Sequence, residues 1–267
     1  MNRRSFLKGL LFFSSIFTFQ LKASKKNNVS FNYGVASGDP TNTNIILWTK
    51  VSPTFNKDVT VKWQLSADKN FKNILNSGYV SAKYSNDFTI KVDVKVPNRF
   101  RGNKVFYRFL FNDTISDTGI TNTLPQNDPD KYNIAFCSCS NHPAGYFNAY
   151  REIAKNNDID LVLHLGDYIY EYDKDGYATE DSKRFNRVVD PKHEIVSLND
   201  YRRRHAQYKS DLDLQALHKS KPMIAVWDDH EFTNDSWKYG AENHQNDEGF
   251  FQSRKANACL LYTSDAA

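Results

Sequence analysis

Several features that would classify a chain quickly are scarce or missing here. Only three cysteines, Cys137, Cys139 and Cys259, occur in 267 residues. The odd number leaves at least one thiol free, and Cys137 and Cys139 stand too close on an extended segment to bridge without strain, so no disulfide framework follows. Charge of one sign is not in excess: 35 basic residues face 31 acidic ones, a net of +4. The basic residues are scattered rather than gathered into a stripe, which argues against specific nucleic-acid recognition. There is no internal repeat and no low-complexity tract. The apolar stretch Gly9–Leu21 is too short to span a bilayer comfortably.

What is present is the balance of a soluble globular protein, 40% hydrophobic and 25% charged. The length suffices for two ordinary domains. The aromatic share of 14% suits strand-rich structure. At the N-terminus, Arg3-Arg4-Ser5-Phe6-Leu7-Lys8 precedes the short apolar run. A charged segment followed by such a run is the layout of a secretory signal, and the paired arginines match the twin-arginine type. Residues 1–23 are therefore expected to engage the twin-arginine export machinery, placing the protein in the periplasm, at the cell surface or outside the cell. No stable transmembrane span is expected after signal removal. Lys22-Ala23-Ser24 is a poor cleavage site, so an uncleaved anchor is the plainer alternative.

Residues 30–125 read as a small β-sandwich domain. Val59, Val61, Trp63 and Leu65 alternate along one face, as do Phe88, Ile90, Val92, Val94 and Val96; Ile45–Trp48 and Lys104–Phe111 supply further strands. Leu124–Asp130 is turn-rich and reads as a linker. From 131 to 258 the pattern changes to strands alternating with helices, the mark of an α/β layered domain. Strands are expected at Tyr132–Phe136, Ile159–Leu165 and Met223–Trp227, with helices at Tyr146–Asn156 and Leu198–Leu217.

Each of these three strands runs into a polar cluster, and strand-end loops are where such folds assemble sites. The clusters are Cys137-Ser138-Cys139-Ser140-Asn141-His142, Gly166-Asp167-Tyr168-Ile169-Tyr170-Glu171, and Trp227-Asp228-Asp229-His230-Glu231 with Asn234 beyond it. An Asp following a Gly at a strand end can offer both carboxylate oxygens to cations, because the Gly permits a sharp turn. Asp229 can hold a second metal, and His230 can handle a proton near neutral pH. This set suits two-metal phosphoester hydrolysis.

The ordered motifs resemble the calcineurin-like metallophosphoesterases, and the forms GDYIYE and WDDHE, with a Cys closing the preceding strand, resemble the PhoD-like alkaline phosphatase/phosphodiesterase branch. Phe31–Pro53 resembles the start of that branch's N-terminal domain. The resemblance implies a β-sandwich followed by an α/β metallophosphoesterase domain, and an exported metal-dependent hydrolase of phosphate mono- and diesters that uses a metal-bound hydroxide. It implies Cys139 as a thiolate ligand, Asp167 as a bridging carboxylate and Tyr170 as a phenolate ligand of Fe(3+). Asp229 and Asn234 fall on the Ca(2+) side, and His230 is the residue that steadies or protonates the leaving group. Two divalent ions such as Mn(2+) or Zn(2+) are the alternative cofactors. Thiolate and phenolate donors suit ferric iron; carboxylate and carboxamide oxygens suit calcium.

Plainer readings stand beside these. Cys139 could be a small core residue, Tyr168 and Tyr170 core aromatics, and Asp228 a structural carboxylate. Cys137 reads as packing, His164 as a satisfied inner-face residue, and the arginines of Tyr201–Tyr208 as a solvated helix face. Family members continue well past this length and bring further metal ligands, so the chain is expected to supply about half a site and to expose a large apolar edge. The helical pattern is expected to stop at Ala258, with 259–267 a non-native tail. The competing function is a non-catalytic metal- or phosphoester-binding protein, or an inactive fragment.

Overall fold

The computed structural model describes residues 28–265, so the export signal expected over 1–23 lies outside the described residues. Strands follow one another through the first half as β1 (Val29–Ser30), β2 (Val35–Gly38), β3 (Asn44–Lys50), β4 (Ser52–Pro53), β5 (Val59–Ser66), β6 (Ile74–Ala82), β7 (Thr89–Lys95), β8 (Val105–Phe111), β9 (Thr114–Ile115) and β10 (Gly119–Thr121). Alternation decides which face each strand buries. Val59, Val61, Trp63 and Leu65 of β5 point inward, as do Val105, Tyr107 and Phe109 of β8. They meet Ile45, Leu47, Ile90 and Val94 of β3 and β7 in one apolar core between two sheets.

The second half contributes β11 (Ile134–Cys137), α1 (Asn148–Lys155), β12 (Leu161–His164), α2 (Leu198–Lys209), α3 (Leu212–Ser220), β13 (Pro222–Ala225) and α4 (Phe251–Asp265). Strands β11, β12 and β13 are parallel, with Cys137 opposite His164 and His164 opposite Ala225. The helices bury Tyr150, Tyr201, Tyr208, Leu214, Leu217 and Leu261 against Val162 and Met223 on one face of these strands.

The two halves are not separate sheets. Strand β13 pairs in parallel with β2, so the six-stranded order is β11-β12-β13-β2-β3-β7, and one face-to-face sheet of the first half continues into the parallel strands of the second. The other sheet runs β10-β8-β5-β6.

Three expectations need correction. The helix expected over Leu198–Leu217 is two helices, because Asp211 caps a new one: its Oδ1 accepts from the N–H groups of Asp213 and Leu214 at 2.9 and 3.0 Å. The last helix does not stop at Ala258 but runs to Asp265, with Leu261 only 2% exposed in the core. The apolar surface left open is not confined to the edge strand β11: Ile134 and Phe136 of that strand, with Leu165 and Val226 beyond β12 and β13, project from a sheet face that no described helix covers.

Candidate metal centre

The parallel register sets the three polar clusters side by side at the C-terminal ends of β11, β12 and β13. Backbone bonds then lock them together. Leu165 N–H donates to Cys137 O at 2.8 Å, Val226 N–H to His164 O at 2.9 Å, and the N–H groups of Cys139 and Ser140 to the carbonyls of Gly166 and Asp167 at 3.1 and 2.8 Å. Cys139 and Asp167 adopt left-handed backbone conformations, φ 60° and 56°. Gly166 is required here: its φ is 108°, and a Cβ would stand 2.6 Å from both the N and the Cβ of Asp228. The third cluster thus passes directly over the second.

This arrangement gathers Asp167, Asp229 and His230 so that one ligand atom from each lies within 4.8 Å of the others. Asp167 Oδ2 accepts from the Tyr170 hydroxyl at 3.2 Å, while Asp167 Oδ1 is buried with no hydrogen-bond partner. The exposed Cys139 thiol stands near enough to Asp167 and Tyr170 to influence the ionisation of both. Burial pushes the Asp167 carboxyl above the ordinary carboxylate range, against the opposing effects of His230, Cys139 and Tyr170. Burial and then the Asp167 charge push the Tyr170 phenol up. A bare carboxylate oxygen beside a second carboxylate, an imidazole, a thiol and a phenol is a donor set that fits cations, and a cation would relieve the cost of the orphaned oxygen.

His230 stacks on Tyr170, with ring centroids 4.2 Å apart and planes at 29°. Its Nδ1 lies 2.8 Å from Oε2 of Glu171, a carboxylate with no solvent exposure. Burial alone would lower the His230 imidazole, but the Glu171 hydrogen bond and charge hold it above its ordinary value. Burial would raise Glu171 in turn, and its donors hold it below the usual carboxylate value. Those donors include Asn234 N–H and Asn243 Nδ2, both at 2.8 Å. Asn234 also donates through Nδ2 to Glu242 at 2.8 Å, which leaves its carboxamide oxygen as the candidate donor to a cation.

Of the residues singled out from the sequence, Asp167, Asp229 and His230 meet; Tyr170 joins them through its hydrogen bond to Asp167 and its stack on His230, Cys139 stands beside Asp167 and Tyr170, and Asn234 is tied in through Glu171. Cys139 is exposed and not a core residue. Cys137 is half-buried against the helical core, and burial pushes its thiol up to about 11. Tyr168 is a core aromatic whose hydroxyl meets His218 Nε2 at 2.8 Å. His164 is fully buried and bonds Tyr150 at 2.8 Å and Ser140 at 3.0 Å.

Sequence reasoning missed three groups. Glu171 and Glu231 close the two motifs, and their acidic side chains in otherwise buried runs were the available signal. Glu231 accepts the N–H groups of Tyr168 and Asp228 at 2.5 and 2.8 Å, tying cluster to cluster. The third is Arg204. Arg203 is exposed as expected, but Arg204 is fully buried and is not part of a solvated face. It donates to the carbonyls of Tyr170, Tyr172, Asp190 and Pro191, bracketing Glu171 from both sides.

Comparison with known proteins gives a consistent result. Residues 134–264 match the family model described as PhoD-like phosphatase, and residues 18–125 match the model of the PhoD-like phosphatase N-terminal domain. Alkaline phosphatase D of Bacillus subtilis (strain 168) is 38% identical over 260 residues, which is 93% of this chain and 43% of that protein. A solved structure described as that of PhoD superposes with a TM-score of 0.78 at 35% identity, over 88% of this chain and 45% of the other. The chain thus spans less than half the length of these relatives.

Proposed function

The chain belongs to the PhoD-like phosphatase family, and from that premise we propose that the complete gene product is an exported, metal-dependent hydrolase of phosphate mono- and diesters. The observation that carries the reading is the orphaned Oδ1 of Asp167, buried beside Asp229 and His230. Residues 30–125 form its β-rich N-terminal unit and 131 onward its catalytic unit. Export rests on Arg3-Arg4 and the apolar run after them.

Cys139, Asp167 and Tyr170 would hold a ferric ion, and Asp229 with Asn234 would hold calcium beside it; the mixed thiol, phenol and carboxylate donors support that division. Bound there, the metals supply charge to polarise the phosphoryl oxygens and to activate a water. The chain's own part is positional and protonic. Asp167 orients between Tyr170 and His230. His230, held through Nδ1 by Glu171, presents Nε2 as the proton donor to the leaving oxygen. Arg204 fixes the backbone on either side of Glu171, so the acceptor for His230 cannot drift.

The test is turnover of bis(p-nitrophenyl) phosphate and p-nitrophenyl phosphate by the complete gene product, with and without chelator, alongside elemental analysis. Chelator-sensitive turnover lost in Asp167→Ala, with iron lost in Cys139→Ser, is the expected result. Turnover that survives both chelation and Asp167→Ala would remove the metal reading. Metal content without turnover would favour the binding-protein alternative, and full turnover without iron would favour a pair of divalent ions.

A further inference from the structure

Beyond the donor set, the rings of His230 and Tyr170 run on into two further rings, Tyr172 and Tyr177, that the hydrolytic reading leaves without a role. His230 contacts Tyr170 at 4.2 Å and Tyr172 at 5.4 Å between centroids, and both tyrosines contact Tyr177, at 6.4 and 6.0 Å. The four rings form a closed circuit. Three of them are buried or half-buried, but Tyr177 is 62% exposed. Exposure of one large aromatic is unremarkable by itself. Here, however, it adjoins the rings that carry the candidate ligand and the candidate acid.

Tyr177 is also held in place. It lies in a segment without regular secondary structure, yet its carbonyl accepts from Asn141 Nδ2 at 3.1 Å. Asn141 belongs to the same strand-end cluster as Cys139, so the bond ties the backbone of Tyr177 to that cluster. A rigid aromatic face beside a reaction centre costs little entropy when it stacks on a flat group.

Resting on the phosphoesterase reading, we propose that Tyr177, backed by Tyr172, is the specificity wall for the alcohol part of the substrate, and that it selects phosphate esters whose leaving group carries a planar ring. The phosphoryl group lies over Asp167 and Asp229, the leaving oxygen faces His230, and the ring of the departing alcohol stacks on Tyr177. No bond chemistry is added; the wall acts on binding of the organic part.

The experiment compares phenyl phosphate with glycerol 2-phosphate on the metal-loaded complete gene product, in wild type, Tyr177→Ala and Tyr177→Phe. Truncation leaves the Asn141 bond intact, since that bond uses the backbone carbonyl, and thermal unfolding checks that the fold is unchanged. Tyr177→Ala is expected to raise KM for phenyl phosphate about three- to tenfold, with kcat within about twofold and glycerol 2-phosphate unaffected. Tyr177→Phe should retain wild-type values, because stacking needs the ring and not the hydroxyl. Equal changes on both esters, or none on either, would overturn the wall while leaving the hydrolytic reading standing. Only if wild type turns over neither ester nor bis(p-nitrophenyl) phosphate does the hydrolytic reading itself fall.

Discussion

Glu171 lies 2.8 Å from His230 across 59 residues of chain, and it is the only fully buried carboxylate among the described residues to face an imidazole. The same side chain accepts from Asn234 and Asn243. One carboxylate therefore fixes a histidine and closes the loop that follows it.

Removing that acceptor should be costly. Glu171→Ala leaves His230 Nδ1, Asn234 N–H and Asn243 Nδ2 without their partner, and each buried orphan costs on the order of 1–3 kcal/mol. We expect the urea midpoint to fall by the equivalent of roughly 3–5 kcal/mol and turnover to be lost. Glu171→Gln keeps the shape and one acceptor oxygen, so its loss of stability should be smaller. A midpoint equal to wild type in Glu171→Ala would show that the loop is held by other contacts.

Gly166→Ala should fail for a steric reason. The added methyl would meet the backbone nitrogen and Cβ of Asp228 at 2.6 Å, and backbone there cannot swing away as a long side chain can. We expect lowered thermal stability and loss of bound metal, read by calorimetry and elemental analysis. Wild-type metal content in this variant would show that Asp228 can retreat without disturbing Asp229.

Adjacent arginines should respond differently. Arg204→Met strands the carbonyls of Tyr170, Tyr172, Asp190 and Pro191. A loss of about 3 kcal/mol or more is expected. Arg203, exposed and paired with the exposed Asp190, should tolerate Ala within about 1 kcal/mol. Similar unfolding midpoints for the two variants would contradict the packing described.

Acid should destabilise the fold through its buried histidines. Burial lowers His205 to about 3 and His164 to about 4, and lowers His218 as well. These groups stay neutral in the folded chain while the unfolded chain takes up protons near pH 6.5. Their stabilising contribution is therefore complete above pH 6.5 and is lost as pH falls toward 4. In the middle of that window, three such groups give a slope of up to about 4 kcal/mol per pH unit. Urea unfolding at pH 7.5 and 5 tests this, and His205→Phe should flatten the dependence. An unchanged midpoint would mean that these rings are already charged when folded.

Much of this was legible from local pattern. Alternation marked β5, β7 and β8 because each buries one face, and the strand-end polar clusters marked the candidate site because loops beyond the ends of parallel strands are where such folds gather polar side chains. Other parts were invisible for physical reasons. Strand β2, Val-Ala-Ser-Gly, is buried throughout, so it carries no alternation, and its small residues have no strand signature. The break at Asp211 was masked by continuous helix-forming sequence on both sides. Arg204 reads like its neighbours in sequence, and only the three-dimensional return of the Tyr170–Tyr172 and Asp190–Pro191 backbones gives it carbonyls to satisfy.

The pairing of β2 with β13 bears on how the chain reaches this state. Val35–Gly38 leaves the ribosome early, yet its neighbour Pro222–Met223 emerges only after more than half the chain has followed. Until then β2 has β3 on one side and an open hydrogen-bonding row on the other. The central seam of the sheet must therefore close late, by a contact distant in sequence, which is a slow kind of step. For the same reason, expressing 28–125 and 131–265 as separate polypeptides would hand each piece a raw internal edge, and self-association through those edges is the outcome to expect.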